Sequence, residues 1–283
     1  MATIEFMPAR LTPEETDELR RAVVCLEGAS FAQRLTDAVG RPVGMLSRSM
    51  PPPARRVIAH VSETALRGAL KLALRTIDLN ASAKPANRAH RLAAAASGAV
   101  GGALGLAALP LELPISTTIL LRSIAEIARE EGEDLSTPEA AFACVEVFAL
   151  GGPAGGEAAF ESGYFAVRAA LAKSVSDSAR FVATEGAAAN SAPIIARLIS
   201  QIAARFGLVV SEKLAAQAAP ILGAIGGAAV NAAFADHFQT LARGHFIVRR
   251  LERQHGARVV AFEYERLRNE SARDRAESRR AAS

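Results

Sequence analysis

Residues Leu92 to Leu111 read LAAAASGAVGGALGLAALPL, twenty positions without a charge. As a continuous helix at about 1.5 Å per residue they would extend about 30 Å, the thickness of a bilayer core. Their composition decides the secondary structure. Ala is the strongest helix former, and the β-branched and aromatic residues that favour strands are almost absent from the run. The whole chain shares this bias: of 283 residues half are apolar, yet only 5% are aromatic and none is Trp. Roughly a fifth are Ala, far above ordinary usage. The sequence therefore predicts an all-α protein, a multi-helix bundle with two Gly/Ala-rich, closely packed central helices. That much apolar sequence is sufficient for a sizeable core and excludes disorder for the bulk of the chain.

The second of those helices is expected in Leu214 to Ala235, also uncharged. Gly98-Ala-Val-Gly101-Gly102-Ala103 and Gly223-Ala-Ile-Gly226-Gly227-Ala228 agree at five of six positions, the pattern a duplication would leave. In the first run Gly98 with Gly102 and Gly101 with Gly105 form interleaved GxxxG pairs. In the second, Ala215, Ala219, Gly223, Gly227 and Asn231 fall four apart on one helical face. A stripe without side chains lets a neighbouring backbone approach closely.

Length suggests a membrane span and energy argues against one. Ala and Gly gain little on transfer to lipid, and a charge such as Glu112 costs about 3 kcal/mol at mid-bilayer. The expectation is a soluble core with shallow membrane contact, for which Phe246, Ile247, Val248, Arg249, Arg250 and Leu251 are the residues to test.

Outward from these runs the chain reads as helices. Thr12-Pro13-Glu14-Glu15 caps one that extends to about Glu27. A second spans Phe31 to Arg48 and stops at the triple proline Pro51–Pro53, a rigid hinge and candidate boundary. An amphipathic helix covers Ala54 to about Leu79. Others are expected over Ile115–Glu131, from Pro138 to Gly151, over Phe165–Thr184 and over Pro193–Phe206, followed by a basic amphipathic helix to about Gln254. The tail from Glu263 is charged all round and reads as a solvated helix. This divides the chain into N-terminal helices over 1–50, a helical domain over 51–262 and a solvated tail over 263–283.

Cys25 and Cys144 belong to no zinc or disulfide spacing, and the N-terminus has no secretory h-region, so the reading is cytoplasmic. Cys144, in FACVEVFALGG, reads as a small buried hydrophobe. The 33 basic residues are nearly matched by 29 acidic ones without a long block of either sign, which argues against nucleic acid as a partner. No nucleophile elbow, Walker loop, HExxH or dinucleotide fingerprint occurs.

The polar residues that stand out are few. Glu112, between Pro110 and Pro114, reads as an exposed acid at the N-terminus of a helix starting at Pro114. If it is buried instead, Arg122 or Arg243 is its expected partner. Asp236, His237, Arg243 and His245, with Asn231, form a second polar cluster. His237 and His245 are two turns apart, about 12 Å, too far to share a metal, so they read as histidines packed at a helix joint. His60 and Glu63 form an HxxE pair, for which a metal is not expected because bundle metal sites draw carboxylates from several helices. Neither a metal nor a cofactor is called for.

Two segments resemble the EcsC family, bacterial proteins named for a product encoded beside the components of an ABC transporter. The first is the glycine run with Leu109-Pro110-Leu111-Glu112-Leu113-Pro114, Thr117, Leu121-Arg122-Ser123-Ile124 and Ile127-Ala128. The second is Pro220-Ile221-Leu222-Gly223-Ala224 with Gly226-Gly227, Asn231, Phe234, His237-Phe238, Ala242-Arg243-Gly244-His245-Phe246, Arg249 and Leu251-Glu252. The similarity covers about residues 30 to 265 and leaves out the first helix and the tail. It implies no catalytic residue, because the family has no established activity, cofactor or substrate; it implies an accessory role in transport or envelope processes. Three readings follow. The first is a non-enzymatic helical accessory protein, peripheral at the inner face of the cytoplasmic membrane, with a membrane surface or membrane protein complex as partner. The second is a hydrolase on an apolar or lipid-like substrate, which requires Glu112, Asp236, His237 and Arg243 to converge. The third is a soluble protein-binding scaffold.

Overall fold

The computed structural model describes residues 11–39, 42–78, 108–151, 163–186, 192–218 and 223–281. Among them are ten α-helices and no strand: α1 (Pro13–Glu27), α2 (Phe31–Val39), α3 (Val43–Arg48), α4 (Pro52–Asp78), α5 (Leu109–Glu130), α6 (Pro138–Leu150), α7 (Tyr164–Glu185), α8 (Pro193–Gln217), α9 (Gly223–His255) and α10 (Ala257–Ala281). Gly98, Gly101, Gly102 and Gly105 lie outside the described residues.

Capping chemistry places several helix starts where the sequence predicts them. Thr12 Oγ1 accepts from the Glu15 N–H while the Glu15 carboxylate accepts from the Thr12 N–H, a complete capping box. Thr137 caps α6, with Pro138 in its first turn. Prolines account for the departures. The predicted helix over Phe31–Arg48 is two helices, because Pro42 has no N–H to continue the ladder and stands at the N-cap of α3. Pro52 and Pro53 occupy the first turn of α4, where the missing N–H costs nothing. α5 starts at Leu109, not Ile115: Pro110 sits in its first turn and Pro114 lies inside it.

The largest departure is at α8. The sequence predicts its end at Phe206, before Gly207, but the helix continues to Gln217 because the surrounding packing outweighs the propensity cost of one glycine. The uncharged run Leu214–Ala235 is consequently divided between the end of α8 and the start of α9, with Pro220 in the sequence between them. Ala215 and Gly223 therefore belong to different helices, and Ala219, between them in the predicted stripe, lies outside the described residues. Gly227 is buried within α9.

The chain divides into two compact units, Ala29–Ala242 and Met1–Gly28 with Arg243–Ser283. In the larger unit α8 is central, packing on α2, α3, α4, α6 and α7. Every residue from Val209 to Ala216 is buried, as is every residue from Ala140 to Ala149 of α6. Burial on all faces favours apolar residues all round, which is why α6 shows little amphipathic pattern, with Glu146 its one buried charge. Cys144 lies within it, buried as expected. Among the described residues α8 is also the one helix long and apolar enough to cross a membrane, with half of its apolar window buried inside the protein.

In the smaller unit α1 packs on α10 and on the last turns of α9. Gly244 permits the approach: a Cβ there would lie 2.7 Å from Leu26 Cγ and 2.9 Å from Cys25 Cβ. Glu18 pairs with Arg250 at 2.8 Å and Glu15 with His255 at 2.8 Å, so α1 and this part of α9 run antiparallel. Two predictions are corrected here. The tail is not solvated all round, because Tyr264 and Leu267 of α10 are fully buried and the Tyr264 hydroxyl donates to Glu27 at 3.0 Å. Phe246, Val248 and Leu251, three of the six residues put forward for membrane contact, are also fully buried and belong to the core, whereas Ile247, Arg249 and Arg250 are half-buried.

Candidate functional site

Between Arg205 and Asp236 the only charged residues are Glu212 and Lys213, adjacent in the buried half of α8. Being adjacent on a helix, they point about 100° apart and do different things. Lys213 Nζ donates to Glu112 Oε1 at 2.6 Å, with the two side chains only 2% and 8% exposed. The same ammonium lies 4.9 Å from the centre of the Phe234 ring. Desolvation lowers the Lys213 pKa, and the Glu112 charge and hydrogen bond work against that. Breaking such a pair by removing one partner costs about 3–5 kcal/mol, although two well-packed apolar residues in its place would be about as stable.

Glu212 faces α2 and α3. Desolvation pushes its carboxyl up to about 7, against the Ala32 N–H and the Arg48 charge, which favour the carboxylate. Ala32 is in the first turn of α2, where N–H groups lack partners within the helix; the Ser30 hydroxyl accepts from the Gln33 N–H at the same end. Glu212 thus ties the start of α2 to the centre of the bundle.

Phe234 continues the site towards His237. Its ring centre is 5.7 Å from that of Phe31 and 5.1 Å from that of Phe238, and the His237 ring lies 5.1 Å from Phe31. His237 is buried, and its pKa is lowered to about 4 by desolvation and by the Arg34 charge, with the Gly151 backbone working weakly the other way. The imidazole is neutral at pH 7. It lies against the C-terminal end of α6, where Arg205 Nε donates to the Ala149 carbonyl at 2.6 Å. A Cβ on Gly151 would fall 2.8 Å from His237 Nε2, so this contact requires glycine.

The predicted site residues separate. Glu112 is buried, correcting the exposed-acid reading, and its partner is Lys213, neither Arg122 nor Arg243, both of which are exposed. Asp236 is exposed and pairs with Arg34 at 3.4 Å. Asn231 Oδ1 is buried without a protein hydrogen-bond partner. His245, buried beside the Phe246 ring, and Arg243 belong to the smaller unit, whereas His237 belongs to the larger. Within the larger unit Glu112 is engaged by Lys213 and Asp236 by Arg34. His60 is exposed, Glu63 pairs with Arg67, and no three metal-ligating side chains group together among the described residues.

Sequence reasoning missed Glu212 and Lys213. The signal was present: two charges alone in an otherwise neutral stretch from Phe206 to Ala235 must either end a helix or be buried with partners.

Fold and site together define an all-helical protein organised around a buried lysine–glutamate pair and a phenylalanine cluster. The model of the EcsC protein family matches residues 29–251, and the chain belongs to that family. The matched segment begins before α2, ends inside α9 and contains Glu112, Glu212, Lys213, Phe234 and His237; α1 and α10 lie outside it. Searches of curated proteins and of solved structures found no match.

Proposed function

We propose that this EcsC-family chain is a non-enzymatic accessory protein that touches the inner face of the cytoplasmic membrane through the start of α5, in support of a transport or envelope process. The observation that carries the reading is the direction of Leu111 and Ile115. They are four residues apart on one helical face and remain 74% and 43% exposed, while Glu112 between them is buried. Leu111 is also the last residue of the uncharged run that begins at Leu92. Full burial of such a side chain is worth about 1.5–3 kcal/mol, so two of them suit reversible peripheral contact and fall short of permanent anchorage.

Flotation with vesicles of phosphatidylglycerol and phosphatidylethanolamine tests the reading. The wild-type chain should float with the vesicles and the Leu111→Glu/Ile115→Glu variant should remain below. Leu208→Glu, which alters an exposed apolar residue of α8, should behave as wild type. A wild-type chain that stays in the aqueous fraction at every lipid concentration would exclude membrane contact, and the scaffold reading would take its place.

A further inference from the structure

The start of α5 is separated from the rest of its helix by an internal proline. Pro114 has no N–H, so the Pro110 carbonyl loses its partner one turn on. Just beyond, the Ser116 hydroxyl donates to the Leu113 carbonyl at 3.1 Å and the Thr118 hydroxyl to the Pro114 carbonyl at 2.9 Å, back-bonds of the kind that bend helices. The first turn thus lacks one backbone hydrogen bond to the rest of α5. What holds it against the bundle is Leu109 and Leu113, both fully buried, and the Glu112 carboxylate on Lys213.

The charge stands where apolar residues would serve stability better. Inward positions of α5 run Leu109, Glu112, Leu113, Thr117, Leu120, Leu121 and Ile124, so the acid lies in the core stripe while Leu111 and Ile115 lie outside it. A buried ion pair is seldom more stable than an apolar replacement, and its best-attested use is to fix register or to make a contact that can switch.

We propose that Glu112 and Lys213 form a latch: the segment Leu109–Leu113 swings about Pro114, and its opening frees Leu109 and Leu113 to meet a lipid bilayer in addition to the already exposed Leu111 and Ile115. The occupant is taken to be a bilayer because the first three residues of the latch segment, Leu109 to Leu111, are the end of the twenty-residue uncharged run that begins at Leu92. This inference rests on the membrane reading above and supplies the conformational step that the exposed pair alone lacks. A closed latch shows two of the four side chains; an open one shows all of them.

Hydrogen exchange followed by mass spectrometry on the full chain, with and without vesicles of phosphatidylglycerol and phosphatidylethanolamine, tests it. Without lipid, amides from Leu111 to Thr117 should exchange at least about tenfold faster than those from Leu120 to Ala128, a local opening about 1.4 kcal/mol easier than that of the core. Lys213→Met should speed exchange in the first segment by a larger factor than in the second and increase flotation. Glu112→Leu/Lys213→Met, with an apolar contact in place of the pair, should slow that exchange below wild type and reduce flotation. Glu112→Gln, which keeps an acceptor for Lys213, provides a milder opening variant should Lys213→Met fail to fold. Exchange of both segments at one rate in every chain would overturn the latch. Exchange that follows the pair while vesicles change nothing would leave the latch standing and overturn the bilayer as what it meets.

Discussion

Lys213 Nζ and Glu112 Oε1 are 2.6 Å apart, although their residues are separated by about a hundred positions in the chain and neither side chain has appreciable access to solvent. The pair joins the first turn of α5 to the middle of the central helix. Removing one partner should be far more damaging than removing both. Lys213→Met is expected to lower unfolding free energy by about 3–5 kcal/mol, and Glu112→Leu/Lys213→Met to lie within about 1 kcal/mol of wild type or above it. Urea denaturation at pH 7 measures both; equal losses in the single and double variants would contradict the pairing.

Glu212 and His237 should give opposing dependences of stability on pH. The Glu212 carboxyl titrates at about 7 in the folded protein against 4.5 unfolded, so the folded state holds the extra proton and stability falls as pH rises through that window. His237 titrates at about 4 against 6.5, so the unfolded state holds the extra proton and stability falls as pH drops through that window. Each effect amounts to about 3 kcal/mol at about 1.36 kcal/mol per pH unit. Relative to wild type, Glu212→Gln should become more stable from pH 4.5 to 7.5 and His237→Gln less stable over the same range. Denaturation curves across this range would show the two differences diverging.

Three glycines should respond differently to alanine. At Gly151 the new Cβ meets His237 Nε2 at 2.8 Å, and at Gly244 it meets Leu26 Cγ at 2.7 Å and the Ala22 carbonyl oxygen at 3.1 Å. Both substitutions are expected to cost about 1–3 kcal/mol through overpacking. Gly68, within α4, has nothing within 4 Å of its added Cβ, so Gly68→Ala should gain about 0.5–1 kcal/mol from helix propensity. Thermal unfolding orders the three.

The C-terminal helix should prove to be part of the smaller unit's core. Tyr264→Phe removes the hydrogen bond to Glu27 and is expected to cost about 1 kcal/mol. Tyr264→Ala removes a fully buried ring and is expected to cost about 3–5 kcal/mol. Exchange protection of α1 amides should fall with the second substitution; unchanged protection would show that α10 contributes nothing to holding α1.

Much of the helical framework was legible because local chemistry specifies it. Thr12 and Thr137 announce helix starts by satisfying N–H groups within three residues of themselves, and the capping geometry matches the reading. Prolines were harder to place. Pro42 breaks a helix, Pro52 starts one and Pro114 is accommodated inside one, and these outcomes depend on which carbonyl lies four residues back and what packs around it. Glu112 shows the same limit: its flanking prolines suggested an exposed turn, but its burial depends on Lys213, which sequence proximity could not reveal.

By itself, the sequence determined that this protein is all-helical, since Ala-rich composition and capping residues act over a few positions and need no distant partner. It also determined family membership and the sparse set of polar residues among which any site must lie. Only tertiary structure decided which helix is central, which acid meets which base, and that Phe246, Val248 and Leu251 are core. The physical reason is burial. A charge or an apolar side chain carries the same local signal whether or not another helix covers it, and the desolvation that pairs Lys213 with Glu112 or holds His237 neutral exists only once the helices have packed.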